Sequence, residues 1–170
     1  MIGKYASLNG KLIKTKDANL PIDTIELMYG FGVYENLKMR KGKLFFVEDH
    51  AERLMFSAKE IDLEHNFDEK EIIEWIKELI EKNKIESANI KIILLGGTEP
   101  KLFIFMLNPL YIEKKDYRNG VKAITFEYER FAPTAKTLNM LPSYIIYGKA
   151  KKVGAYDVIL LDKKENIIEG

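Results

Sequence analysis

Apolar residues recur along this chain with two periods, and the switch between the periods marks out its strands and helices. Residues 5–8 and 11–13 flank Asn9-Gly10, a pair that accepts the positive φ angles of a two-residue turn, and so predict a first hairpin. Over residues 33–40 the chain alternates, with Val33, Glu35, Leu37 and Met39 on one side and Tyr34, Asn36, Lys38 and Arg40 on the other. Lys41-Gly42 then turns it into a partner strand at 43–47. Beyond that point Ala51, Leu54, Met55, Ala58 and Ile61 fall at three- and four-residue steps, which predicts a helix with one buried face over 48–61. Asp68 and Glu71 have the spacing of a capping pair and open a second helix, whose Ile72, Trp75, Ile76, Leu79 and Ile80 share a face. Residues 90–95 and 101–107 read as buried strands around the turn-rich Gly96-Gly97-Thr98-Glu99-Pro100.

These elements form one α+β unit over residues 1–109, an antiparallel sheet with two helices. Residues 110–120, with Glu113, Lys114, Lys115, Asp116, Arg118, Asn119 and Gly120, read as a solvated connector between domains. A second unit follows over 121–170: a strand at 121–128, a loop through 133–139, a helix that Pro142 opens and Gly154 ends, and strands at 157–162 and 166–169. At about 50 residues this unit is near the size at which a lone core becomes marginal. It therefore reads as incomplete, and the chain as a fragment or a truncated product.

Composition removes several classes of function. Apolar residues make up 46% and charged residues 31%, with 27 Lys and Arg against 26 Asp and Glu, which excludes disorder and a collagen-like fibre. A formal charge of +1 lacks the cationic surplus that holds a phosphate backbone, so nucleic acid is not an expected partner. The longest apolar runs, 92–95 and 102–107, fall far short of the roughly 20 residues that span a bilayer. Residues 1–9 have no signal-peptide core, and without cysteine there is neither disulfide, thiolate catalysis nor cysteine-ligated zinc. A soluble protein of the cytoplasm is the expectation.

Common catalytic patterns are also missing. His50 and His65 are the two histidines, and neither has metal-ligand spacing with another ligand, so no metal site is expected. Asp49 and His50 are helix neighbours pointing about 100° apart, which does not build a triad. Gly30-Phe31-Gly32 and Gly96-Gly97 do not complete a dinucleotide fingerprint, and no Gly-Lys-Ser/Thr phosphate loop occurs. The carboxylates of 68–81, interleaved with lysines, make a solvated helix face. Lys149, Lys151 and Lys152 lie near a helix C-terminus, where the backbone dipole favours cations.

Five segments in order carry a more specific signal. They are Tyr29-Gly30-Phe31-Gly32-Val33-Tyr34-Glu35, Phe46-Val47-Glu48-Asp49-His50-Ala51-Glu52-Arg53-Leu54-Met55-Phe56-Ser57-Ala58, Pro133-Thr134-Ala135-Lys136-Thr137-Leu138-Asn139-Met140-Leu141, Gly154-Ala155-Tyr156-Asp157-Val158-Ile159-Leu160-Leu161-Asp162, and Ile168-Glu169-Gly170. With this order and spacing the chain resembles the class IV aminotransferases, the fold-type IV pyridoxal phosphate enzymes that include branched-chain and D-amino-acid aminotransferases and aminodeoxychorismate lyase. The likeness runs over essentially the whole chain and covers about the first three fifths of a typical family member. It implies that the second unit opens a larger, barrel-like cofactor-binding domain.

The resemblance also implies site residues. Lys136, in the Lys-Thr-Leu-Asn segment, matches the lysine that forms a Schiff base with the aldehyde of pyridoxal 5'-phosphate and then shuttles the proton; to attack, its amine must be neutral. Arg53 matches the arginine of the His-x-x-Arg-Leu segment that holds the cofactor phosphate, which a guanidinium fork suits. Glu169 matches the glutamate that keeps the pyridine nitrogen protonated, and Tyr34 a position that helps to hold the substrate carboxylate. Phe31 and Lys91 depart from the family, which often carries a polar residue and an arginine there. The function implied is amino transfer between an amino acid, branched-chain type favoured, and a 2-oxo acid, by a homodimer. Elimination of pyruvate from aminodeoxychorismate is the alternative within the family, and a non-catalytic fragment the alternative outside it.

Overall fold

Asn9 and Gly10 have φ angles of 49° and 78°, which close the turn between β1 (Ile2–Leu8) and β2 (Lys11–Lys14) and pair Leu8 with Lys11. The computed structural model that supplies this geometry describes all 170 residues. A short helix, α1 (Ile25–Tyr29), follows, then β3 (Gly32–Arg40) and the two-residue β4 (Lys43–Leu44). This second hairpin is shorter than its pattern predicts. Phe46 takes a left-handed φ of 54° and redirects the chain, so Val47, expected as the end of a strand, instead opens α2 (Val47–Glu60).

Next come α3 (Glu69–Asn83), β5 (Ala88–Leu95) and β6 (Lys101–Leu107). The start of α3 is the capping box its sequence predicts. The Asp68 side chain accepts from the Lys70 backbone N–H at 2.8 Å, and Glu71 accepts from the Asp68 N–H at 3.2 Å. β1 to β6 form one antiparallel sheet in the order β2-β1-β6-β5-β3-β4. Period-two alternation turns Leu37, Ile90, Ile92, Leu94, Ile104 and Met106 towards α2 and α3, where they bury Leu54 and Ala58 of α2 and Ile72, Ile76 and Leu79 of α3.

The connector region carries the short helix α4 (Lys114–Asn119), which buries none of its residues. The remaining elements are β7 (Ala123–Glu127), α5 (Leu141–Lys152), β8 (Asp157–Leu161) and β9 (Ile167–Glu169). β7 and β8 are parallel, so a long crossover containing α5 joins them, and β9 adds antiparallel to β8. Ile146 and Ala150 of α5 pack on Val158 and Leu160, making a small separate core.

The chain divides into two compact units: residues 1–110 with 134–138, and residues 111–133 with 139–170. Residues 134–138 therefore pack with the first unit, although the sequence places them in the second. The reason is backbone pairing. Thr137 forms a bridge with Val33, and the Leu138 N–H donates to the Gly32 carbonyl at 2.8 Å.

Replacing Ile76, which is fully buried between α3 and the sheet, by alanine is expected to destabilise the protein by about 2–5 kcal/mol. In urea unfolding the midpoint should fall while the slope stays unchanged.

Candidate active site

Alternation along β3 gives adjacent residues opposite jobs. Glu35 points to the helix side with Val33 and Leu37 and has no exposed surface. A carboxylate so placed must be paired to remain charged. Three contacts do this: Arg53 donates from Nε to Oε1 at 2.5 Å and from Nη2 to Oε2 at 2.8 Å, and His50 Nδ1 lies 2.7 Å from Oε2. A carboxylate can only accept, so Nδ1 is the donor. His50 and Arg53 are three residues apart on α2 and so share one face of it.

The Glu35 carboxyl is the result of two opposed effects. Burial pushes it up, but hydrogen bonds from Arg53 and His50 and their charges more than offset this and hold it below the ordinary carboxylate value. The hydrogen bond that Arg53 donates to Glu35 in turn raises its guanidinium against the effect of burial. Half of the Arg53 side chain stays exposed, and Nη1 takes no part in the pairing with Glu35.

Lys136 is fixed from two sides. Its carbonyl accepts from the Tyr34 N–H at 2.9 Å, and its own N–H donates to Ser57 Oγ at 3.1 Å. Ser57 is fully buried on α2, one helical turn beyond Arg53. Thr134 Oγ1 adds a hydrogen bond to Glu60 Oε2 at 3.0 Å, again on α2. Gly32 permits the close approach, since a Cβ there would lie 2.7 Å from Leu138 Cδ1 and 2.6 Å from the Leu94 carbonyl oxygen. The half-buried Lys136 side chain then places Nζ 4.8 Å from the centroid of the Tyr34 ring.

Lys91 reaches the same ring from β5, with Nζ 3.5 Å from its centroid. Burial first, and the Lys136 charge second, lower the Lys91 amine to about 8, with Glu35 pulling the other way. In the second unit Glu169, on β9, accepts from Arg130 Nε at 2.6 Å, and Arg130 Nη2 donates to the Pro133 carbonyl at 3.0 Å. Glu169 also borders a cavity of about 330 Å³ lined by Met140, Tyr144, Tyr147, Val158 and Leu160.

Of the residues singled out in the sequence, Tyr34, Arg53 and Lys136 thus belong to one cluster in the first unit, and Glu169 belongs to the second. Sequence reasoning assigned no role to Glu35, Ser57 or Arg130. Glu35 had a usable signal, because a lone charge on the apolar side of an alternating strand needs a buried partner. Nothing local marks Ser57 or Arg130.

The amino-transferase class IV family matches residues 32–170, more than four fifths of the chain and all of the elements just described from β3 onward. The chain belongs to this family. This family member is 29% identical to a putative branched-chain-amino-acid aminotransferase of Methanocaldococcus jannaschii, over 96% of its own length and 61% of that protein's. It is 30% identical to a D-alanine aminotransferase of Staphylococcus aureus, over 96% of its length and 62% of the relative's. In fold it matches the branched-chain amino acid aminotransferase of Escherichia coli with a TM-score of 0.88 at 22% identity, covering 98% of this chain and 62% of that one. A hypothetical aminotransferase from Mycobacterium tuberculosis, solved in its PLP-bound form, matches at 0.77 and 23%, covering 94% and 62%. The chain thus spans about three fifths of the length of these relatives.

Replacing Glu35 by glutamine is expected to cost about 1–3 kcal/mol, reduced from the value for a fully buried pair because Arg53 is half-exposed. A carboxyl held below its ordinary value of 4.5 contributes stability that is fully present above that pH and is lost as pH falls through the folded-state value. Denaturant unfolding between pH 7 and pH 3 should therefore show a steeper acid loss in the wild type than in Glu35→Gln.

Proposed function

We propose that this chain carries part of the active site of a pyridoxal phosphate-dependent aminotransferase, which moves an amino group between an amino acid and a 2-oxo acid. The observation that supports this most directly is the placement of Lys136, whose backbone is anchored to both β3 and α2 and whose amine rests against an aromatic ring beside a second cation. Edge pairing along β3 accounts for the pinned backbone, but it does not call for a half-buried lysine at this position. Branched-chain amino acids are the favoured substrates, because a branched-chain relative and branched-chain structures are among the matches. D-alanine is the competing substrate, from the D-alanine aminotransferases also matched.

The residues fit the cofactor. Lys136 would hold the cofactor through its amine and would carry the proton at Nζ. Arg53 would hold the phosphate with the N–H groups that Glu35 does not use, and its pairing with Glu35, itself held by His50, fixes the guanidinium plane. Tyr34 orients the substrate carboxylate. Glu169, which accepts from Arg130, would keep a proton on the pyridine nitrogen. The bound cofactor supplies an electron-withdrawing ring that stabilises the negative charge left on the substrate α carbon. In this reading residues 110–120 join the two domains, and the working enzyme is a cytoplasmic homodimer.

Incubation with pyridoxal phosphate followed by borohydride reduction should place one phosphopyridoxyl group on Lys136, read by peptide mass spectrometry. Lys136→Ala should carry none, and Arg53→Met should need about tenfold more cofactor for half-labelling. Labelling spread over surface lysines, with Lys136 spared, defeats the assignment. Comparing a branched-chain L-amino acid with D-alanine as amino donor then separates the two substrate classes.

A further inference from the structure

One charged residue stands against the site without a part in the function just described. Lys91 lies opposite Asn36 and diagonal to Tyr34 in the β3–β5 ladder, on the face of the sheet turned away from α2 and α3. Its half-buried amine is 3.5 Å from the centroid of the Tyr34 ring, and the Lys136 amine is 4.8 Å from the same centroid. The π face attracts both ammonium groups and so holds two like charges near each other. Lys91 is faced by Lys136 from residues 134–138 and by Tyr34 and Glu35 from β3, with His50 and Arg53 of α2 behind Glu35. Glu35 compensates little for the two lysines, because Arg53 and His50 already claim both of its oxygens.

We propose that Lys91 is a positioning residue that sets the reactivity of Lys136 towards carbonyl and acyl electrophiles, through repulsion between the two amines at their shared Tyr34 ring. Coulomb repulsion is mutual, so a charge on Lys91 at the shared Tyr34 ring also acts on the Lys136 amine. Only the free amine is nucleophilic: its lone pair forms the new N–C bond, the leaving group departs with the electrons of the bond it breaks, and the surplus proton passes to solvent. The effect works while Lys91 is charged. As pH rises through about 8 the Lys91 proton is lost and the effect lapses with it. This inference rests on Lys136 being the reacting amine of the site.

The test uses the full chain and an acylating reagent, so that it does not depend on cofactor binding. Acetylation of Lys136 by N-acetoxysuccinimide is followed by peptide mass spectrometry against exposed Lys164 as an internal reference, at several pH values, in wild type, Lys91→Met and Lys91→Arg. At pH 7, Lys91→Met should slow Lys136 about three- to tenfold. Wild type and Lys91→Met should converge above about pH 9, where Lys91 is neutral in either case. Lys91→Arg, charged throughout, should keep the wild-type rate at pH 7 and exceed it above about pH 9. An unchanged rate in Lys91→Met overturns the proposal. So does a slowing that is the same at every pH or is not rescued by arginine, because that marks lost packing. If this pattern holds while pyridoxal phosphate fails to label Lys136, the cofactor reading falls and the coupling stands.

Discussion

A carboxylate with no exposed surface, Glu35 on β3, is the constraint from which the site takes its shape. Leaving it unpaired would cost several kcal/mol, and its partners, His50 and Arg53, both come from the first two turns of α2. The helix therefore crosses the beginning of β3 in one register. Two consequences follow from strand and helix geometry alone. Tyr34, next to Glu35, points to the opposite face of the sheet, and Ser57, one turn beyond Arg53, comes level with residues 134–138.

Those residues solve two problems with one set of hydrogen bonds. β4 pairs only with Met39 and Arg40, so the first half of β3 would be an open edge. Residues 136–138 cover it, taking the Tyr34 N–H and the Gly32 carbonyl. Closing the edge also immobilises the backbone of Lys136, while Ser57 and Glu60 secure the segment to α2. The lysine amine is left at the end of a short, well-anchored lever.

Electrostatics on the two faces of β3 differ for the same reason. On the helix side the buried charge is paired, as Glu35 faces Arg53 and His50. On the other side Lys91 and Lys136 share the Tyr34 ring, which contributes a quadrupole rather than a counter-charge. The carboxylate that acts on Lys91, Glu35, reaches it through the sheet and is already hydrogen-bonded. An excess of positive charge at a partly dry aromatic surface is a property of the fold, whatever occupies it.

Local patterns determined most of the elements. The Asn9-Gly10 turn, the period of α2, the capping box of α3 and the alternation of β3, β5 and β6 each depend on residues within a few positions of one another, so the sequence displays them directly. The five ordered segments likewise pointed to the family, because order and spacing are one-dimensional properties. The short α1 and α4 were not legible, since neither buries a residue and no periodicity marks them. Only the tertiary structure decided that β7 and β8 run parallel, that residues 134–138 leave their sequence neighbours for β3, and that Ser57 and Lys91 stand by Lys136. Each of these joins residues 34 or more positions apart or depends on both faces of a sheet at once. Such pairings are chosen by which arrangement buries apolar surface while leaving no polar group unpaired, a balance that no short stretch of chain contains.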